Sequence, residues 1–290
     1  MMKRTQKTGK GVRKFTKMWM LGLLVLVAVP LLFSVEADAA KSRLVQLKPG
    51  QANRSFDITK DGKKDELLVQ TEAEKLHLWV NDELYTWNWR DYPEVFPIYD
   101  YVVQYKTQVH LYQLKNGKIF LGVSSTGDYD TNGFHMLYRY KSGEFIPVLN
   151  VNKVFAGDLA GMGHTATPKK VQKNTIIMKY STGITSSAIY EFQVTYKPSG
   201  NKLKTTGSNY KITKVIQAYN KKKLKVATPF KLYKKAGGKK TSYTAKAGDL
   251  LKPLQFRVKG KNAYILLENS RKQKGWVNAR FSYGTLDNYA

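Results

Sequence analysis

An all-β fold is what this sequence predicts: an N-terminal antiparallel β domain followed by a small C-terminal β-barrel. Three observations carry it. Apolar and polar residues alternate over short stretches, turn pairs separate those stretches, and no long segment after residue 40 repeats with a period of 3.6. Alternation is clear in Lys75-Leu76-His77-Leu78-Trp79-Val80 and in Gln108-Val109-His110-Leu111-Tyr112. It recurs in Ile176-Ile177-Met178-Lys179-Tyr180 and in Tyr190-Glu191-Phe192-Gln193-Val194-Thr195-Tyr196. Each pattern predicts a strand with one face buried. The turn pairs are Asn81-Asp82, Asn116-Gly117, Ser142-Gly143, Ser199-Gly200 and Lys259-Gly260. Asn116-Gly117 stands between Leu111–Leu114 and Ile119–Val123, the strongest hairpin signal in the chain. Residues 156–172, rich in Gly, Ala, Thr and Lys, read as a long loop.

The first 39 residues are set apart from the fold. Residues 3–17 hold seven Lys and Arg and no acid, and an apolar run follows from Trp19 to Val35, broken by Gly22, Pro30 and Ser34. Ala37-Asp38-Ala39 then supplies a small-x-small cleavage box. This is the layout of a secretory signal, with a mature start expected at Ala40. A retained membrane anchor is the alternative, the run being near the lower limit for a span. The chain has no Cys. Cysteine hydrolases, Cys-ligated zinc and a lipid-anchored lipoprotein are thereby excluded, and the exported protein relies on its core instead of on disulfides.

The formal net charge is +28. Beyond residue 39 there are 42 bases and 19 acids, and residues 216–290 alone hold 18 bases and 3 acids. A cationic exported protein concentrates near polyanions. Outside a Gram-positive-type cell these are teichoic acids, anionic phospholipids and peptidoglycan carboxylates; export argues against nucleic acid. The shift in charge, with Lys221-Lys222-Lys223, places a linker at 216–223, between a domain at 40–215 and a second at 224–290.

The clearest local motif is Asp57-Ile58-Thr59-Lys60-Asp61-Gly62-Lys63-Lys64-Asp65. Oxygen-bearing side chains fall at alternate positions and Gly62 permits a sharp turn. Calcium requires six to eight oxygens at short range. Asp57, Thr59, Asp61 and Asp65 offer side-chain oxygens and Lys63 its carbonyl. An Asp-Gly turn without metal is the alternative. The motif is no EF-hand, because Leu68 occupies the slot of the bidentate Glu and a strand follows. It resembles the acidic loop of FG-GAP and integrin-propeller-like repeats, though those carry Asp or Asn where Thr59 stands and only one copy is evident. A second stretch, Gly127-Asp128-Tyr129-Asp130-Thr131-Asn132-Gly133, reads as a hairpin loop leading into Phe134–Tyr140.

Residues 224–288 resemble bacterial SH3-like domains. The resemblance rests on Pro229-Phe230-Lys231-Leu232-Tyr233, Ala247-Gly248-Asp249-Leu250, Ala263-Tyr264-Ile265-Leu266-Leu267 and Lys274-Gly275-Trp276-Val277, in that order. It implies a small barrel that targets exported proteins to peptidoglycan or teichoic acid without catalysis. Tyr233, Tyr264 and Trp276 are the candidate aromatic contacts; for Trp276 core packing is the favoured reading, and stacking on a sugar or peptide the functional one. Gly275 would let the chain bend beside its bulk. Arg257, Lys259, Lys261, Arg271, Lys272 and Lys274 are expected on loops, as point charges for phosphates.

Enzyme signatures are missing. His77, His110, His135 and His164 have no zinc-hydrolase spacing, and there is no Gly-x-Ser-x-Gly or Walker loop. Tyr85, Trp87 and Trp89 alternate at period 2 and Tyr92 follows three residues on, the cluster reading as a packed sheet face or as a carbohydrate platform. The expectation is a secreted, monomeric, non-catalytic, wall-associated binding protein. The alternative is a wall hydrolase or hydrolase inhibitor with its site in the N-terminal domain, where Glu83, Asp91, Glu94 and Asp100 could assemble.

Overall fold

Strands account for nearly all regular structure in the computed structural model, which describes residues 41–72, 74–91, 106–126, 132–151, 164–185, 188–216, 223–260, 262–279 and 286–287. In chain order they are β1 (Arg43–Leu47), β2 (Asn53–Phe56), β3 (Asp65–Thr71), β4 (Lys75–Val80), β5 (Glu83–Asn88), β6 (Lys106–Gln113), β7 (Ile119–Thr126), β8 (Asn132–Lys141) and β9 (Glu144–Asn150). There follow β10 (His164–Gln172), β11 (Thr175–Thr185), β12 (Ala188–Ser199), β13 (Lys202–Thr205) and β14 (Asn209–Ile216). The last group is β15 (Leu224–Val226), β16 (Phe230–Tyr233), β17 (Thr241–Ala245), β18 (Leu250–Lys259), β19 (Asn262–Glu268), β20 (Lys274–Asn278) and β21 (Leu286–Asp287). Between β5 and β6 Trp89–Asp91 forms one 3-10 turn. The fold is all-β, with antiparallel sheets. The expected leader, the acidic stretch 127–131, most of the expected linker, Tyr92 and Lys261 lie outside the described residues.

The first nine strands build two sheets, β2-β3-β4-β5 and β1-β6-β7-β8-β9. Phe56, Leu67, Val69, Leu76, Leu78 and Trp87 on the smaller sheet pack against Val109, Leu111, Leu121, Val123 and Tyr138 on the larger. The other face of the larger sheet is also buried. Tyr112, Leu114, Phe120 and Leu137 point away from that first core, into a second one shared with Ile176, Met178, Tyr180, Phe192 and Val194. Both strand faces of Val109-His110-Leu111-Tyr112 are therefore covered. The expectation of a half-buried strand at 108–112 is corrected: apolar and aromatic residues at successive positions mark a middle layer.

The third sheet begins β10-β11-β12-β14 and continues through β18-β19-β20-β16-β17. Residues 164–172 are a strand, where a loop was expected; only 156–163 of that stretch lie outside the described residues. Thr165, Ala166 and Thr167 pair regularly with β11, Ala166 is buried, and Pro168 sits where the register shifts, a position at which its missing N–H is tolerated. Across the expected boundary, Asn209, Tyr210 and Lys211 pair with Arg257, Phe256 and Gln255. The Phe256 ring lies 5.4 Å from Phe192 and 6.5 Å from Tyr210, so apolar packing is continuous from β12 to β18.

Strand β18 carries a register shift between Pro253 and Gln255. Leu250 and Leu251 pair with β15, and β19 pairs with Lys252 to Lys259 on both sides of the shift. Strand β15 also pairs with β21, and β16 meets β20 at Tyr233 and Trp276.

Candidate binding face and acidic loop

Strand alternation sorts the C-terminal residues into two faces. Leu232, Ile265, Leu267 and Val277 point inward and are buried. Tyr233, Tyr264, Leu266 and Trp276 point outward and are half-buried. Tyr233 stands opposite Trp276, which stands opposite Leu266, which stands opposite Gln255. In the neighbouring row Tyr264 lies between Asn278 and Arg257. Residues directly opposite share a face with Cβ atoms about 5 Å apart. The three aromatics singled out from sequence thus occupy one outward face, and Trp276 is not a core residue.

Gly275 explains how. A Cβ built on it would lie 2.4 Å from Leu232 Cβ. The glycine faces inward and lets β20 close on β16; its role is this approach to Leu232, where a bend beside Trp276 was expected. Gly237 makes a second close approach, at φ +70, with a built Cβ 2.9 Å from the Tyr264 hydroxyl. The loop between β16 and β17 therefore rests against Tyr264. Its ends are tied by Lys234 N–H donating to Lys240 C=O at 2.9 Å, and its tip by Gly238 N–H donating to Lys235 C=O at 2.9 Å.

This loop carries Lys234, Lys235, Lys239 and Lys240, all exposed. Sequence reasoning counted them only within the net charge. The signal was there, two lysine pairs around Ala236-Gly237-Gly238, a turn-forming centre.

The other basic candidates are placed differently from expectation. Arg257 and Lys259 lie in β18 and Lys274 in β20, on strands and not on loops; Arg271 and Lys272 lie in the turn before β20. Lys272 Nζ is 3.6 Å and Lys274 Nζ 3.5 Å from the Glu268 carboxylate, so this pair is partly neutralised. Arg257 Nε is buried without a hydrogen-bond partner.

The acidic loop turns its carboxylates onto its own backbone. Asp57 accepts from Lys60 N–H at 2.7 Å and Gly62 N–H at 3.2 Å, and Asp61 from Lys63 N–H at 2.8 Å. Asp65 is 1% exposed. It accepts from Ile58 N–H (2.5 Å), Thr59 N–H (3.0 Å), the Thr59 hydroxyl (2.9 Å) and the Asn81 amide (3.0 Å). Burial pushes the Asp65 carboxyl up, but these bonds outweigh it and hold it below the usual carboxylate range. Among the described residues no three acids or histidines converge on a metal position. As arranged, Asp65 spends both oxygens on four donors, whereas Asp57 and Asp61 keep lone pairs beyond their amide bonds.

Within the aromatic series before β6, Trp87 and Trp89 belong to a packed face. Trp87 and Trp89 are 7% and 1% exposed, and Trp87 packs on Tyr138 with ring centroids 5.5 Å apart. Their burial overturns the carbohydrate-platform reading for Trp87 and Trp89. Tyr85, at the rim, is hydrogen-bonded to Glu83 and to Gly143 C=O.

No known family, no curated protein and no solved structure matches the chain.

Proposed function

We propose that this chain is a non-catalytic, exported binding protein of an anionic cell envelope, held there by an SH3-like module at residues 224–290. One observation carries the reading: Tyr233, Tyr264 and Trp276 share an outward face beside an exposed loop with four lysines. The pairing order supports the barrel, with β15 between β18 and β21 and β18, β19 and β20 in succession. Such a face suits a polymer that joins sugar or alkyl surface to regular negative charge. Aromatic rings take the apolar surface, and lysines act as point charges for phosphates. Teichoic acid meets both demands; peptidoglycan, with carboxylates on its peptides, meets them with fewer charges.

The test is retention of the purified mature protein on whole cell walls, native and stripped of teichoic acid, across a salt series. Retention on native walls that falls with salt, and falls on stripped walls, is expected. Equal retention on both wall types would assign the face to peptidoglycan, and no retention on either would overturn the reading.

A further inference from the structure

The outer face of the β2–β5 sheet carries a second surface, remote in sequence from the aromatic face at 233–276. Leu68, Trp79 and Leu84 stand directly opposite one another on β3, β4 and β5. Leu84 is 52% exposed, the most exposed large apolar side chain among the described residues, and Trp79 is half-buried. Two inter-strand spacings make this lane about 10 Å wide.

Beside it runs a polar row of Gln70, His77 and Thr86, again in direct register. His77 Nδ1 is 2.9 Å from the Thr86 hydroxyl, its Nε2 3.2 Å from Glu72, and its ring 5.8 Å from Trp79. On the other side Arg54 pairs with Glu66 at 2.5 Å. Lys75, opposite Asn88, is the other base of this face, and Glu72, Glu74 and Asp82 stand in its turns, so the face has no cationic excess in a chain of net charge +28. A polyanion has no reason to settle here in preference to the lysine-bearing surfaces. A neutral ligand with an apolar face and a hydroxyl rim does.

We propose that this face binds a neutral polysaccharide. One sugar ring lies on Trp79, flanked by Leu68 and Leu84, and its hydroxyls meet the Gln70 amide and the Thr86 hydroxyl, which His77 orients. The site is independent of the anionic-polymer reading above.

The full exported chain is titrated with cellohexaose and with chitohexaose, at low salt and at roughly 0.5 M NaCl, where charge interactions are screened within a few Å. Saturable binding of at least one hexaose, unchanged by salt, is expected. Trp79→Ala lowers that affinity about tenfold. Leu84→Ser, at an exposed position that tolerates the change, lowers it severalfold with an unchanged circular dichroism spectrum. Trp276→Ala leaves it intact, which separates this site from the C-terminal face. No binding of either hexaose, or binding indifferent to both Trp79→Ala and Leu84→Ser, overturns the proposal. A dimer in solution that Leu84→Ser dissociates also overturns it, by giving the face to a second copy of the chain.

Discussion

Gly275 lies against Leu232 so closely that a Cβ on the glycine would stand 2.4 Å from the leucine's own Cβ. The contact joins two strands that share one register pair, Tyr233 with Trp276. Gly275 and Leu232 are inward and buried, so neither can move aside into solvent. Gly275→Ala is expected to destabilise the protein by about 1–3 kcal/mol through overpacking. Trp276→Ala, on the outward side of the same strand, is expected to cost less. Chemical denaturation of the two variants checks the order. A Gly275→Ala protein as stable as the parent would mean that β16 and β20 are not this close.

Asp65 gathers the acidic loop. Its two oxygens receive four donors from Ile58, Thr59 and Asn81, and removing them leaves those donors unpaired in a buried place. Asp65→Ala is expected to cost about 2–4 kcal/mol. The pH dependence follows from its lowered pKa. The stability it adds is complete above the unfolded value, about 4, and is lost as pH falls through the folded value. Asp65→Asn should therefore flatten the acid limb of the stability curve below about pH 4. Calcium enters the same experiment. With Asp65 saturated by four donors, millimolar calcium should leave the melting temperature unchanged; a calcium-dependent rise that Asp57→Asn abolishes would establish the cation reading.

His110 sets a second pH limb. It is 9% exposed, and burial pushes its imidazole down to about 4. The unfolded imidazole takes its proton near 6.5. Between these values the unfolded chain binds the extra proton, so stability is complete above about pH 6.5 and declines as pH falls towards 4. The decline should be absent in His110→Gln, measured as melting temperature against pH. His77, half-exposed and hydrogen-bonded to Thr86, provides the comparison: His77→Gln is expected to keep the decline.

Local periodicity reported which side chains share a face, and it is silent on how many faces are covered. Leu76, Leu78 and Val80 alternate with His77 and Trp79, and β4 has one buried side as predicted. Val109 to Tyr112 follow the same rule and are buried on both sides, because a third sheet covers the second one; that sheet begins at His164, 52 positions after Tyr112. The Asp57–Asp65 loop was legible as a turn. Which donors its oxygens meet depends on Asn81, sixteen residues later across the sheet. Tyr233, Tyr264 and Trp276 were legible because alternation in three strands put them opposite their inward neighbours. The lysines at 234–240 were hidden by being read as charge, since only the contact of Gly237 with Tyr264 brings their loop to that face.

That contact separates two contributions to envelope binding. Lysines on a loop act by long-range attraction, which salt screens. A half-buried aromatic acts by contact, which salt leaves in place. Replacing Lys234, Lys235, Lys239 and Lys240 together by Gln should weaken binding to teichoic-acid-bearing walls at low salt and reduce the dependence on salt, so that the variant and the parent converge as salt rises. Trp276→Ala should instead lower binding by a similar factor at every salt concentration. The Gln variant should fold normally, because the four side chains are exposed and the loop's ties are backbone hydrogen bonds between residues 234 and 240 and between 235 and 238. If both variants shift binding by the same factor at all salt concentrations, the loop contributes no electrostatic attraction, and the cationic half of the proposed recognition is lost while the aromatic half stands.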